Sequence, residues 1–163
     1  MRYLSLDQAL NTSGWAVFYN SDLEKFSTFS TKSSAPIGER LWTIWNKLDN
    51  LYGEYQFNFI FFEDIQHQAN LETYKKLAFC QAAIILWCYH NNIDYSIAAP
   101  SHWRSVLKDN YKISFGKTRA EQKKAAQQLV EQLYNIKVTQ DEADAICIGI
   151  AGLLEYNKNR SAF

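Results

Sequence analysis

The segment TQDEADAICIGIAG, residues 139–152, places Asp141, Glu142 and Asp144 within four positions and then turns almost wholly apolar. Part of that charge is helix chemistry. Thr139 followed three residues later by Glu142 forms a capping box, which satisfies orphan amides at a helix start, and acids in a first turn suit the positive end of the helix dipole. Capping explains Glu142 and can cover Asp141, but it leaves Asp144 over. On a helix, Asp141, Asp144, Ala145, Ile148, Ala151 and Gly152 share one side by their spacing of three and four residues. Ala143, Ile146, Cys147, Ile150, Leu153 and Leu154 cover the other. A helix this apolar all round is buried, with its small-residue side packed closest to a neighbour. Two carboxylates on that side repel and lose hydration unless a cation or a shared proton lies between them.

A cation needs more ligands, and two further acids stand at strand ends. RYLSLD (2–7) alternates and closes on Asp7; NFIFFE (58–63) is a continuous apolar run closing on Glu63. Alone, Asp7 reads as a turn initiator and Glu63 as an exposed strand end. Ligand sites of α/β sheets, however, lie outside the carboxyl ends of the strands. If these two strands are parallel neighbours, their terminal carboxylates converge, and the last helix can deliver Asp141 and Asp144 to the same place. Four carboxylates with no matching His or Cys cluster favour a hard divalent cation, Mg²⁺ or Mn²⁺, over zinc. Two such ions about 4 Å apart can bind both the attacking and leaving oxygens of an in-line phosphoryl displacement.

The elements that must position these acids follow from periodicity. After the first strand, Asn11, Thr12, Ser13 and Gly14 make a turn into WAVFY, and EKFSTFST (24–31) alternates again, giving an antiparallel meander of three strands. A helix follows, with Pro36 near its first turn and Ile37, Leu41, Ile44, Trp45, Leu48, Leu51 and Tyr52 at helical spacing. The apolar run before Glu63 suits a strand covered on both faces. A long helix over about 70–90, a fifth strand at DYSIAA (94–99) stopped by Pro100, a short helical piece, a basic loop and a helix near 121–134 lead to the acidic-headed helix. The expected architecture is a mixed α/β domain, a five-stranded sheet with an antiparallel meander plus parallel strands and helices on both faces.

Bulk properties agree. A chain of 163 residues, 47% hydrophobic and 15% aromatic, is large enough for one well-buried domain spanning residues 1–163 and is not disordered in composition. No apolar run reaches membrane-span length, and MRYLSLDQ lacks a signal-peptide pattern. Cys80, Cys88 and Cys147 lie in apolar helical stretches without zinc-type pairing, so buried free thiols in a reducing cytoplasm are expected. The net charge is zero, but the average conceals a local surplus. Arg104, Lys108, Lys112, Lys117, Arg119, Lys123 and Lys124 stand against only Asp109 and Glu121, a stretch suited to phosphate. An ordinary solvated helix face is the alternative.

SLDQALNTSGWAVF, FFEDI and QDEADAICIG, in that order and at these separations, resemble the RuvC family of Holliday-junction resolvases, most closely its bacteriophage branch, over essentially the whole chain. The resemblance implies a ribonuclease-H-like fold, a homodimer, and cleavage of four-way DNA junctions with Mg²⁺ held by four acids. Carried onto this chain, those acids are Asp7, Glu63, Asp141 and Asp144, with two ions per site and Mn²⁺ able to substitute. It also implies phosphate-contacting basic residues, matched by Arg104 and by Lys123, the latter supplying positive charge in catalysis; Lys117, Arg119 and Lys124 lie nearby. The host-cell cytoplasm is the expected location.

The chain departs from the family pattern in two places. Ser5, Gln8 and Ala9 stand where glycines are common around the first acid. Ile65, Gln66 and His67 stand where bacterial members carry an aromatic wedge, which unstacks bases; weaker cleavage-sequence preference is the expectation. His67 reads as an exposed loop histidine rather than a metal ligand. Trp42, Trp45 and Trp87 have core spacing, although Trp87 with Ile84, Ile85 and Cys88 could instead form a dimer contact. Trp103, between His102 and Arg104, is a candidate for DNA contact. Two other functions share these features: a nuclease of this fold acting on RNA–DNA hybrid or RNA, and a junction-binding module without catalysis.

Overall fold

The structure, a computed structural model, describes residues 1–66 and 70–160; His67 lies outside the described residues. β1 (Arg2–Asp7), β2 (Thr12–Tyr19) and β3 (Asp22–Ser30) form the meander, followed by α1 (Ile37–Tyr55) and β4 (Phe59–Glu63). Then come α2 (Leu71–Asn91), β5 (Asp94–Ala98), α3 (Pro100–Tyr111), α4 (Arg119–Tyr134) and α5 (Gln140–Arg160). The sheet order is β3-β2-β1-β4-β5. β2 is antiparallel to both β1 and β3, whereas β1–β4 and β4–β5 are parallel. The mixed sheet expected from periodicity is present.

Alternation along the central strands divides the core in two. Leu4, Leu6, Ile60 and Phe62 point to the face covered by α1 and α2, where they meet Ile44, Leu48, Ile84 and Trp87. Tyr3, Phe18 and Phe61 point to the other face, under Trp103, Leu107, Leu129 and Ile146 of α3, α4 and α5. Burial on both faces is why β4 reads as an unbroken apolar run.

Local chemistry sets the helix ends. Asn70 caps α2 by accepting from the amides of Glu72 and Thr73, and Thr118 with Glu121 forms a capping box on α4. Gln56, Asn92, Lys112 and Asn135 adopt left-handed conformations that end α1 to α4. The basic stretch is more helical than its sequence suggests: only residues 112–118 separate α3 from α4.

Of the tryptophans with core spacing, Trp87 is in the core as expected and Trp42 is not. Trp87 is fully buried and donates its Nε1–H to Asp49 Oδ1 at 2.7 Å, with Ile84 and Cys88 equally buried, so this set is core and not a dimer contact. Trp42 is 60% exposed, stacked on Trp45 rather than packed inside. Cys80, Cys88 and Cys147 are buried free thiols, as expected, and burial pushes those of Cys80 and Cys88 up to about 11 and 12.

Candidate active site

Parallel pairing does the first part of the assembly. Leu6 sits opposite Phe62 in the β1–β4 ladder, so Asp7 and Glu63, each the next residue, leave the sheet side by side at its carboxyl edge. The second part depends on α5 lying very close to the sheet. Gly14 is paired with Asp7 across β1–β2, and a β-carbon there would sit 2.0 Å from the carbonyl oxygen of Asp141. A β-carbon on Gly149 would meet the Phe18 ring at 2.5 Å and Ser5 Oγ at 2.7 Å. Ser5 Oγ itself donates to the carbonyl of Ala145 at 2.7 Å, fastening β1 to α5. The first turn of α5 carries the expected capping box: the Thr139 amide donates to Glu142 Oε2 at 2.8 Å, and the Glu142 amide donates to Thr139 Oγ1 at 3.3 Å. Glu142 is therefore the cap, and Asp141 and Asp144 remain for other chemistry.

That chemistry centres on Lys123 of α4. Its ammonium donates a hydrogen bond to Asp144 Oδ2 and lies 3.7 Å from Asp7 Oδ2 and 3.6 Å from Asp141 Oδ1. The Asp144, Lys123 and Asp7 side chains are only 5%, 13% and 17% exposed, whereas that of Asp141 is 40% exposed. Burial, then repulsion from Glu63 and Asp144, pushes the Asp7 carboxyl up to about 8, against the opposing pull of Lys123. Burial also raises Glu63, with a hydrogen bond from Trp103 acting against it, and Asp144, with Lys123 acting against it. Burial alone would lower Lys123, but Asp144, Asp7 and Asp141 outweigh it and hold its ammonium above the ordinary value. Crowded, dehydrated carboxylates of this kind demand positive charge, and an ammonium supplies it here.

Several residues fix the acids in place. The buried Gln8 side chain makes a reciprocal pair with the backbone of Glu63: its Nε2 donates to the carbonyl, and its Oε1 accepts from the amide at 3.2 Å. One side-chain amide thus extends the β1–β4 ladder beyond the strands' ends. The turn after Asp7 needs no glycine, because every residue from 7 to 14 has negative φ. The Ser13 hydroxyl accepts from the Ala9 amide at 3.0 Å and donates to the Ala9 carbonyl at 2.8 Å. Arg40 of α1, buried, secures the next residues by donating to the carbonyl of Leu10 at 2.7 Å and to Asn11 Oδ1 at 2.5 Å. Asp64 is occupied locally, accepting from the Ile65 amide and from Gln81.

The acids line a cleft of about 430 Å³ that Arg104, Arg119, Ile65 and Gln66 also line. An adjoining groove of about 440 Å³ shares Arg104 and Gln66 and adds Lys108. Of the basic residues singled out in sequence, Arg104, Arg119 and Lys123 reach the cleft and Lys108 the groove. Lys112 caps α3 and donates to the carbonyl of Asp109 at 2.7 Å; Lys117 and Lys124 line neither depression.

Trp103 is placed differently from expectation. It is 1% exposed and cannot reach DNA; instead its indole Nε1–H donates to Glu63 Oε1 at 2.9 Å. Pro100, Trp103 and Leu107 are the buried residues of α3, and their spacing of three and four was the available sequence signal. Nothing comparable marked Gln8, which registered only as the absence of a glycine.

A family described as crossover junction endodeoxyribonuclease RuvC matches residues 4–152. The chain belongs to the RuvC family. A search by sequence against curated proteins found no match. Among solved structures, the chain is similar to the Thermus thermophilus RuvC in complex with a Holliday-junction substrate, with a TM-score of 0.76 and 14% identity over 93% of this chain and 92% of the other. It is also similar to the fowlpox virus Holliday-junction resolvase (TM-score 0.62, 14% identity, 96% and 99% covered). A third is the yeast mitochondrial resolvase Ydc2 (TM-score 0.56, 15% identity, 96% and 81% covered). At these identities the likeness establishes the fold, the ribonuclease-H-like one expected; membership establishes the class, a divalent-metal-dependent nuclease that resolves DNA junctions. In this RuvC chain no helix among the described residues is long and apolar enough to cross a membrane.

Proposed function

We propose that this RuvC-family chain resolves four-way DNA junctions by paired symmetric nicks, as a homodimer, with two Mg²⁺ ions per site and weak sequence preference. The observation that carries the reading is the gathering of Asp7, Glu63, Asp141 and Asp144, from β1, β4 and α5, in one cleft beside Arg104 and Arg119. Among the described residues no three acidic, His or Cys side chains stand together in metal-holding geometry as arranged. Lys123 is the cation that lies among the acids. The donor set fits a hard divalent ion: it is all carboxylate oxygen, and it already stabilises positive charge. When bound, such ions would lower the pKa of the attacking water and stabilise charge building on the phosphoryl oxygens.

The remaining steps belong to the chain. Asp7, Glu63, Asp141 and Asp144 would hold the ions. Arg104 and Arg119 bind the phosphates flanking the scissile bond as bidentate or point-charge donors. Lys123 would offer its ammonium to the reacting phosphate. Lys108 extends the positive path along the adjoining groove. Ile65 and Gln66 lie where an aromatic wedge would unstack bases, which supports weak sequence preference. The outer stripe of α2 offers a surface for the second copy, because Phe79, Leu86 and Tyr89 share one exposed side.

The test incubates the protein with a labelled four-way junction, linear duplex and RNA–DNA hybrid, with Mg²⁺ or EDTA. Paired nicks in the junction alone, only with metal, are expected. Asp7→Asn should lower cutting by more than ~100-fold, beyond the cost of losing an outer-shell partner, while junction binding persists. Cutting confined to the hybrid would overturn the substrate, and binding without cutting would overturn the enzyme. Junctions with permuted core sequences test the preference; one dominant cleavage sequence would refute it.

A further inference from the structure

Trp103 does not line the cleft but touches two residues that do, and the reading above leaves its chemistry unused. Its indole carries two charged groups at once. The N–H at its edge donates to Glu63 Oε1 at 2.9 Å, and its face lies under the Arg104 guanidinium, 4.5 Å from the ring centroid. The ring packs in turn against Phe115, with centroids 5.7 Å apart and the planes nearly perpendicular. Burial alone does not dictate such a bond: Trp15 Nε1 is equally buried and has no hydrogen-bond partner. Arg104 Nε is also buried without a hydrogen-bond partner, so the stack on Trp103, together with attraction to Glu63 and Asp144, orients this guanidinium.

We propose that Trp103 is a positioning residue that fixes the orientation of Glu63 as a metal ligand and sets its distance from the phosphate-binding Arg104. With Oε1 held by the indole, the plane and direction of the whole Glu63 carboxylate are fixed. Partners of this kind orient ligating carboxylates, and their loss typically lowers metal affinity or activity by about 10–100-fold. The same ring transmits the placement to Arg104, so carboxylate and guanidinium move as one unit. This inference rests on Glu63 being a metal ligand, as proposed above.

The experiment compares wild-type protein with Trp103→Phe, which keeps an aromatic ring under Arg104 but has no N–H. A second variant carries benzothienylalanine at position 103, in which sulfur replaces the N–H and ring size is preserved; it decides the matter if Trp103→Phe does not fold. Two readouts are taken: Mn²⁺ affinity of the DNA-free protein by electron paramagnetic resonance, and the Mg²⁺ concentration giving half-maximal junction cleavage. Both should shift to higher metal concentration by about 10-fold or more, with junction binding in EDTA changed far less. A folded variant with unchanged metal dependence in both readouts overturns the proposal, even if its maximal rate falls. If wild-type protein cuts no junction while its Mn²⁺ affinity still depends on the indole N–H, the substrate reading fails and the positioning role stands.

Discussion

At the scale of single residues, the site is a charge problem solved by Lys123. Three carboxylates approach one ammonium in a mostly dehydrated setting, and a divalent cation would have to share or take over that position. Removing the ammonium should therefore help metal and harm catalysis. Lys123→Met is expected to raise the Mn²⁺ affinity of the DNA-free protein while lowering junction cleavage by about 10²–10³-fold, the range seen when one transition-state donor is lost. A variant that binds Mn²⁺ more weakly would show that Lys123 supports the metal instead of competing with it. The same crowding predicts a pH dependence of stability. The Asp7 carboxyl is raised from 3.8 to about 8 on folding, so across that window the folded state binds more protons than the unfolded one. Stability then falls as pH rises. Glu63 and Asp144 are shifted in the same direction, and the raised Lys123 remains charged in both states over that range. Metal-free melting temperature should drop between about pH 5 and pH 8, and Mg²⁺ should restore more of it at pH 8 than at pH 5. A metal-free melting temperature that rises steadily to pH 8 would contradict the assigned crowding.

At the scale of elements, the site exists because α5 can lie directly on the β1–β2 pair and because β1 and β4 stay in register beyond their last paired residues. Gly14→Ala drives a methyl into the Asp141 carbonyl; overpacking of this kind costs about 1–3 kcal/mol. It should displace the first turn of α5, so cleavage falls more steeply than stability. Gln8→Ala strips the Glu63 amide and carbonyl of their side-chain partners and should cost about 1–3 kcal/mol. A thermal melt and a cleavage assay on each check both expectations, and wild-type cleavage by either would show that its contact does not position the acids. These two positions also mark the limit of what sequence reveals. Strands, helices, the capping box and the four acids were legible because periodicity and local hydrogen bonding are written in neighbouring residues. Gln8 and Trp103 act across 55 and 40 residues of chain, and no local pattern encodes a partner that far away. Trp103 illustrates the difficulty well: beside Arg104 it looked like a nucleic-acid contact, and only its spacing with Pro100 and Leu107 pointed inward. Trp42 misled in a related way: helical core spacing with Trp45 did not reveal that its ring stands 60% exposed.

At the scale of the whole molecule, one cleft cuts one strand, whereas a four-way junction must be cut twice to be resolved. A second copy related by a two-fold axis would supply the second cleft and match the approximate symmetry of the junction. The surface for it should be apolar, exposed and outside the cleft. α2 meets those terms: its inner residues Ile84, Trp87 and Cys88 are committed to the core, while Leu86 and Tyr89, 60% and 87% exposed, face outward with Phe79. A helix of 21 residues is about 30 Å long, enough for its outer stripe to seed an interface of the usual ~800 Å² per partner. Leu86→Lys combined with Tyr89→Lys places two like charges on that stripe without touching core or cleft. Sedimentation should then show wild type as a dimer and the double variant as a monomer of unchanged melting behaviour. Junction cleavage by the variant should decay from coupled paired nicks to single uncoupled ones, each still dependent on metal. A double variant that remains dimeric and nicks in pairs would move the interface elsewhere on the fold, and a monomeric wild type that still makes paired nicks would mean that the junction itself brings two copies together.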